Sequence, residues 1–262
     1  MLPALWTYQR FIWSRAIGDL RHRYAGTGLG IVWNVVHPLT LIGLYSVIFT
    51  GLYRNTPVPG LDSRFAYTLY LCAGFLPWLA FAECVSRGSG AFIDNAPYLK
   101  KLPVPEQVFV AQTAASATLG LVVSFSLLVI LSLLLGHRPM WTWLLLPVPL
   151  VAMQMLGFGI GLLAGTINVF LRDVGQLITI GLQVAMWSLP IVYLIGTLPA
   201  WLRPVMLFHP LYPAVAITRD LFLYGQLPEP WMWAALIGWP AIFIAIAAMA
   251  FGRLRAEIRD VL

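Results

Sequence analysis

Long apolar stretches recur along the chain, each long enough to cross a bilayer as a helix of about 20 residues. Short segments between them contain most of the charged residues and prolines. The six predicted spans cover residues 31–53, 65–86, 108–135, 143–170, 176–197 and 231–252. The pattern therefore predicts an all-α membrane protein with a single transmembrane domain over 1–262. Its parts would be an interface helix at 1–30, a six-span bundle at 31–252 and a tail at 253–262.

The first 24 residues contain too many arginines for a span and are amphipathic instead. On a helical wheel, Leu5, Ile12 and Leu20 share an apolar arc, whereas Arg10 and Arg21 lie opposite. This pattern is typical of a helix that lies in the plane of the membrane interface. A helix packed on a partner protein is the alternative.

A second unusual segment, 198–213, is apolar but has four prolines, which no single spanning helix tolerates. Together with the stretch up to Trp231, it predicts short, broken helices that re-enter the outer leaflet and form a gate. The alternative is an ordinary extracellular loop of short helices. The gate residues are Pro199, Pro204, His209, Pro210 and Pro213.

Composition excludes a water-soluble domain, since 60% of residues are hydrophobic and only 10% are charged. The net charge of +6 points to cationic loops on an anionic leaflet rather than to nucleic acid as a partner. Eleven of the 16 Lys and Arg residues fall in alternate segments, starting with the N-terminal one. By the positive-inside rule, both termini are expected in the cytoplasm.

Several kinds of chemistry are missing from the sequence. No P-loop, HExxH motif or clustered histidines occur, so we expect no nucleotide site, no metal site and no catalytic residues in this chain. Glu83 is the one clear acid within a span, and Arg87 four residues later favours a structural ion pair. His37 could line a cavity or serve packing. Energy for transport is expected from another subunit.

The loop after the second span combines apolar side chains with two cations between prolines. Such a segment suits a short helix that docks into a partner's groove, and contact with lipid headgroups is the alternative. The residues concerned are Asn95, Pro97, Tyr98, Leu99, Lys100, Lys101, Leu102 and Pro103.

Four segments together carry a resemblance to a known family. They are DLRHRY at 19–24, the loop at 95–105, FLRDVGQ at 170–176, and HPLYP at 209–213 followed by Arg219 and Asp220. In this order, and in a six-span chain of this length, they resemble the type 2 ABC exporter permeases that move O-antigen, capsule or wall teichoic acid. His209 stands where such permeases are expected to have asparagine.

The resemblance implies a permease subunit in the bacterial inner membrane that exports a lipid-linked cell-surface polysaccharide as a homodimer. Two copies of a separate ATP-binding subunit would bind ATP and Mg, and the 95–105 loop would be the coupling helix seated on them. Two alternatives stay open: an ABC-2 permease for a small lipid or drug, and an energy-independent channel or scaffold.

Aromatic rings stack on sugar rings without fixing their position, so they suit a channel that a polymer slides through. The candidates are Trp33, Tyr45, Phe49, Tyr53, Trp187 and Tyr193, with lipid-facing anchors as the alternative.

Candidate contacts to the lipid phosphate are Arg10, Arg15, Arg21 and Arg23, which could equally face anionic lipid. Gly157, Gly161 and Gly165 form a small-residue stripe that predicts close packing within the subunit, or a dimer contact. Pro190 is expected to kink the fifth span.

Overall fold

The computed structural model describes residues 2–52, 58, 65–101 and 103–261. Within these ranges the chain is helical and no β-sheet is found, which confirms the predicted all-α class. In chain order the helices are α1 (Leu2–Thr7), α2 (Gln9–His22), α3 (Trp33–Leu52), α4 (Ala66–Asp94), α5 (Ala96–Lys101), α6 (Gln107–Leu134), α7 (Pro147–Asn168), α8 (Asp173–Ser188), α9 (Arg203–Leu207), α10 (Tyr212–Arg219) and α11 (Pro230–Val261).

Five helical segments of the described chain are long and apolar enough to cross a membrane, so the chain is a multi-pass membrane protein. They are Gly30–Ile48, Ala66–Asp94, Gln107–Leu134, Trp141–Asn168 and Pro230–Ile258. Each overlaps one of the predicted spans. The second is almost entirely buried, because α4 packs along both α6 and α7, while α7 also packs along α11.

The predicted fifth span is not one continuous helix. α8 has 16 residues and ends at Ser188, and Leu189 is extended with φ −83° and ψ 142°. A residue before proline is pushed out of the helical region, and Pro190 has no N–H to continue the helix. The expected kink is therefore a helix end. α8 alone spans about 24 Å at 1.5 Å per residue, less than a hydrocarbon core of about 30 Å.

The glycine stripe of α7 packs against α4, which confirms packing within the subunit. A Cβ added at Gly165 would lie 2.7 Å from the carbonyl oxygen of Gly88, and one at Gly161 would lie 3.3 Å from that residue's Cα. At Gly157 the added carbon would meet the Cys84 side chain at 3.1 Å. Small residues are needed here because the two backbones touch.

Both termini lie at one end of the bundle, which we call the terminal end. An apolar cluster there joins Ile12 of α2, Leu99 of α5, Phe109 of α6 and Ile258 of α11. The N-terminal segment is two helices that break at Tyr8, rather than one. Ile12 and Ala16 of α2 are buried and Leu20 is half-buried, whereas Trp13 and Ile17 of the predicted apolar arc stay exposed.

The other end of the bundle, the opposite end, contains short helices where the four prolines of 198–213 fall. Between α8 and α11 lie a 3-10 turn (Ile195–Thr197), α9, α10 and a π-helical turn (Asp220–Tyr224). Pro204 and Pro213 occupy the first turns of α9 and α10, where the missing N–H of proline costs no hydrogen bond. This region is therefore a set of short helices.

Candidate functional site

The predicted docking segment forms α5, which is anchored on one side and exposed on the other. Leu99 is 2% exposed and packs in the apolar cluster at the terminal end, whereas Tyr98 is 46% exposed. The side-chain amide of Asn95 donates to the carbonyl oxygen of Ala91 at 2.8 Å and so caps the C-terminal end of α4. Leu102 lies outside the described residues. The remaining residues of the segment are at the surface: Pro97, Lys100, Lys101 and Pro103.

The N-terminal helices contact this docking segment directly. The hydroxyl of Tyr8 donates to the carbonyl oxygen of Pro103 at 3.2 Å. The guanidinium of Arg15 lies 5.2 Å from the ring centroid of Tyr98 and 5.5 Å from that of Phe11, within cation–π distance. α2 is thus in a position to move together with α5.

A cluster of four charged side chains fixes α2 to α4. Arg87 Nη1 lies 2.8 Å from Asp19 Oδ2 and 3.0 Å from Glu83 Oε1, which confirms the predicted pair. Arg23 pairs with Glu83, and Ser116 Oγ of α6 donates to Asp19 at 2.5 Å. Burial would raise the pKa of Asp19, but the hydrogen bonds from Arg87 and Ser116, with the nearby arginine charges, lower it overall. We call Asp19, Arg23, Glu83 and Arg87 the charge cluster.

The four arginines predicted to contact a lipid phosphate have different surroundings. Arg15 is stacked beside Tyr98, and Arg23 is paired within the charge cluster. Arg10 and Arg21 are exposed and form no ion pair with any residue that the structure describes. Arg15 is also exposed and forms no ion pair among the described residues, so the guanidinium groups of Arg10, Arg15 and Arg21 are free to donate to a phosphate.

A cavity of about 140 Å³ lies beside the charge cluster, between α3, α4 and α6. Its wall includes His37, Arg23 and Glu83, together with the polar side chains of Asn34 and Ser124. His37 therefore lines a cavity, which is one of the two roles predicted for it.

The predicted aromatic channel residues occupy separate places. Trp33 packs near Tyr24 at the terminal end, and Tyr45 meets Phe75 edge to face at 5.0 Å. Trp187 is 61% exposed on α8, while the hydroxyl of Tyr193 donates to the carbonyl oxygen of Ser188 at 2.9 Å. Tyr53 and the side chain of Phe49 lie outside the described residues. Within the described chain the rings do not form one site.

At the opposite end, His209 connects the predicted gate segment to the end of α8. Its Nδ1 accepts a hydrogen bond from the Leu211 amide at 3.2 Å, and its Nε2 lies 3.4 Å from Ser188 Oγ. Pro199 is exposed and Pro210 is half-buried.

Sequence reasoning missed the role of Arg219, which is buried behind this segment. Its Nε donates to the carbonyl oxygen of Tyr70 at 3.1 Å, Nη1 to that of Pro190 at 2.5 Å, and Nη2 to that of Ile191 at 2.8 Å. Its Cζ also lies 3.6 Å from the centroid of the Tyr70 ring. A buried cation is costly, so these hydrogen bonds hold it and fix the chain break after α8. The available signal was an arginine followed by an aspartate within the otherwise mostly apolar segment 214–223.

Comparison with known proteins places this geometry in context. The sequence model of the ABC-2 type transporter family matches residues 12–223. The O-antigen export system permease protein RfbA of Klebsiella pneumoniae is 25% identical over 246 residues, which is 93% of this chain and 92% of that protein. RfbA of Myxococcus xanthus is 24% identical, over 99% of this chain and 98% of its own length. The polysialic acid transport protein KpsM of Escherichia coli is 22% identical over 80% of each chain.

Proposed function

Because the chain belongs to the ABC-2 type transporter family, we propose that it is the membrane-spanning permease subunit of an exporter of a lipid-linked cell-surface polysaccharide. The observation that carries the proposal is the near full-length similarity to proteins named as O-antigen export permeases. The similarity to a polysialic acid transport protein supports a polysaccharide rather than a small molecule as the substrate.

The proposed subunit has six crossings in a bacterial inner membrane, with both termini in the cytoplasm. The fifth crossing consists of α8 and the buried residues Leu189 to Ile191. Arg219 donates to the carbonyl oxygens of Pro190 and Ile191 there. The short helices of 195–224 re-enter the outer leaflet as the gate, and α1 and α2 lie at the inner interface. The grouping of α1, α2, α5 and the end of α11 at one end supports this sidedness.

The proposed transporter contains two copies of this chain. α8 exposes four apolar side chains spaced three or four residues apart, so that they share one helix face. They are Leu177, Ile180, Val184 and Trp187, each at least 50% exposed. A second copy facing this side would enclose a path between the subunits, where Trp33, Tyr45, Trp187 and Tyr193 are the proposed sugar contacts.

Two copies of a separate ATP-binding subunit complete the proposed complex and bind ATP and Mg. α5 is the proposed coupling helix, because Leu99 anchors it while Tyr98, Lys100 and Lys101 face outward. Movement of α5 would reach α2 through the contact of Arg15 with Tyr98. At the same end, Arg10 and Arg21 are the proposed contacts for the phosphate that links polymer to lipid.

Two matched charge reversals test this proposal in cells. In a strain lacking the chain, polymer should collect inside, and the wild-type chain should restore surface polysaccharide. Lys100→Glu should weaken association with the ATP-binding subunit roughly 5- to 30-fold, as expected for an ion pair replaced by like charges costing about 1–2 kcal/mol. Arg138→Glu, an exposed reversal before Trp141, should bind and export normally. Equal behaviour of the two variants would contradict α5 as the coupling helix, and surface polysaccharide in the strain without the chain would contradict the proposed function.

A further inference from the structure

A separate cavity of about 290 Å³ lies at the opposite end, next to the chain break after α8. Its wall is built by α4, α10, the π-helical turn and the 3-10 turn before α9. Three tyrosines from three of these elements line it together with a buried arginine and an aspartate: Tyr70, Tyr212, Tyr224, Arg219 and Asp220. We call this space the tyrosine cavity.

Several polar groups of the tyrosine cavity lack a side-chain partner among the residues that the structure describes. Among the described residues, no side-chain hydrogen bond or ion pair reaches the carboxylate of Asp220 or the hydroxyls of Tyr212 and Tyr224. All three residues are half-buried. These hydroxyls and the carboxylate can therefore exchange hydrogen bonds with a ligand that enters the cavity.

The charges of the cavity favour a neutral ligand. Arg219 and Asp220 are neighbours of opposite sign in one wall. An anionic group would be repelled by Asp220, and a cationic group by Arg219, whereas a neutral hydroxyl group could donate to the carboxylate and accept from a tyrosine. The tyrosine rings add faces on which the C–H surface of a sugar ring packs.

The size of the cavity limits the ligand to one unit. Sites for small molecules occupy about 300–1,000 Å³, so a cavity of 290 Å³ is at the lower limit of that range. It admits a single sugar ring, and the remainder of a polymer would have to pass outside it.

We propose that the tyrosine cavity binds one neutral, hydroxyl-rich sugar unit of the polymer on the side where the polymer leaves, with Asp220, Tyr212 and Tyr224 as its hydrogen-bonding residues. The inference rests on the proposed function, since the sugar belongs to the exported chain. A unit held there between cycles of ATP hydrolysis would hinder the polymer from sliding back.

Cysteine labelling in cells tests occupancy with the native polymer as the probe. Ala216 lines the cavity and is half-buried, so Ala216→Cys places a thiol in the wall. Cys72 and Cys84 are free but buried, so the wild-type chain serves as the blank. Gln226→Cys, exposed and outside the wall, is the matched control. A neutral, membrane-impermeant maleimide is applied from outside to cells that make the polymer and to cells whose polymer synthesis is blocked.

Labelling of Ala216→Cys should be roughly fivefold slower while polymer is exported, as for a cavity filled about 80% of the time. Labelling of Gln226→Cys should not change. Equal rates for Ala216→Cys in both cell types, or no labelling in either, would overturn the proposal. Thr197→Cys, also in the wall, replaces Ala216→Cys if that variant does not restore export.

A second variant tests the neutral character of the ligand. Adding Asp220→Asn to the labelling variant should reduce the polymer-dependent protection, because the amide is a weaker acceptor for sugar hydroxyls. Stronger protection in Asp220→Asn would indicate an anionic ligand and overturn the assignment. Failure of the proposed function would be detected by a different observation: surface polysaccharide would persist in cells without this chain.

Discussion

Replacing Gly74 with alanine tests whether Arg219 holds the chain break after α8. A Cβ at residue 74 would lie 2.8 Å from Arg219 Nη2 and 3.2 Å from Cζ. The far end of an arginine usually moves aside at little cost, but this guanidinium is buried and donates to three carbonyl oxygens. Restoring an ordinary contact of 3.4 Å would displace Nη2 and disturb its 2.8 Å hydrogen bond to the carbonyl oxygen of Ile191.

The expected loss of stability follows from two opposing effects. A hydrogen bond to a charged group contributes about 1.5–3 kcal/mol, and alanine in place of glycine returns about 1 kcal/mol of helix propensity. Gly74→Ala should therefore destabilise the subunit by about 0.5–2 kcal/mol and slow export, because the break moves. The control is Gly238→Ala on α11, where an added Cβ meets nothing within 4 Å.

Thermal unfolding followed by tryptophan fluorescence, with the complex in lipid nanodiscs, measures the stability, and surface polysaccharide in cells measures export. Gly238→Ala should unfold at or above the wild-type temperature. If Gly74→Ala also unfolds at or above the wild-type temperature and exports polymer normally, Arg219 does not hold the chain break as its hydrogen bonds indicate.

Two further predictions concern the terminal end. Leu99→Ala should cost about 2–5 kcal/mol of packing free energy around α5. It should reduce association with the ATP-binding subunit, measured by co-purification, and export, measured as surface polysaccharide. Normal association and export would show that α5 needs no anchor. The pKa of Asp19 is lowered from its ordinary value of 3.8, so its pair with Arg87 stabilises the protein at every pH above 3.8. This stabilisation is lost as the pH falls through the lowered pKa of the folded state. Hydrogen exchange in α2, corrected for intrinsic rates, should be constant from about pH 8 to pH 5 and rise only below about pH 4; a rise near neutral pH would contradict this.

Features set by local spacing were predictable from the sequence. Apolar runs of sufficient length identified the segments that form α3, α4, α6, α7 and α11. The i,i+4 spacing of Glu83 and Arg87 indicated their ion pair, and the glycine spacing in α7 indicated close packing.

Features that depend on distant contacts were not predictable in this way. Arg23 and Glu83 are 60 residues apart, and Arg219 reaches the Tyr70 carbonyl across 149 residues. No periodicity in the sequence connects such positions, so the sequence alone indicates neither the pairing of Arg23 with Glu83 nor the carbonyl contacts of Arg219. The end of α8 had a local signal in Pro190, but the apolar residues after it have the hydropathy of a continuing span.

Transport by purified components tests the central proposal most directly. Vesicles would contain this chain together with its ATP-binding partner, and lipid-linked polysaccharide would be supplied on the side where ATP is added. We expect transfer of the polymer across the membrane only when this chain, the partner, ATP and Mg are all present. Transfer without the partner or without ATP, or an assembled complex that hydrolyses ATP but moves no polymer, would contradict the proposal.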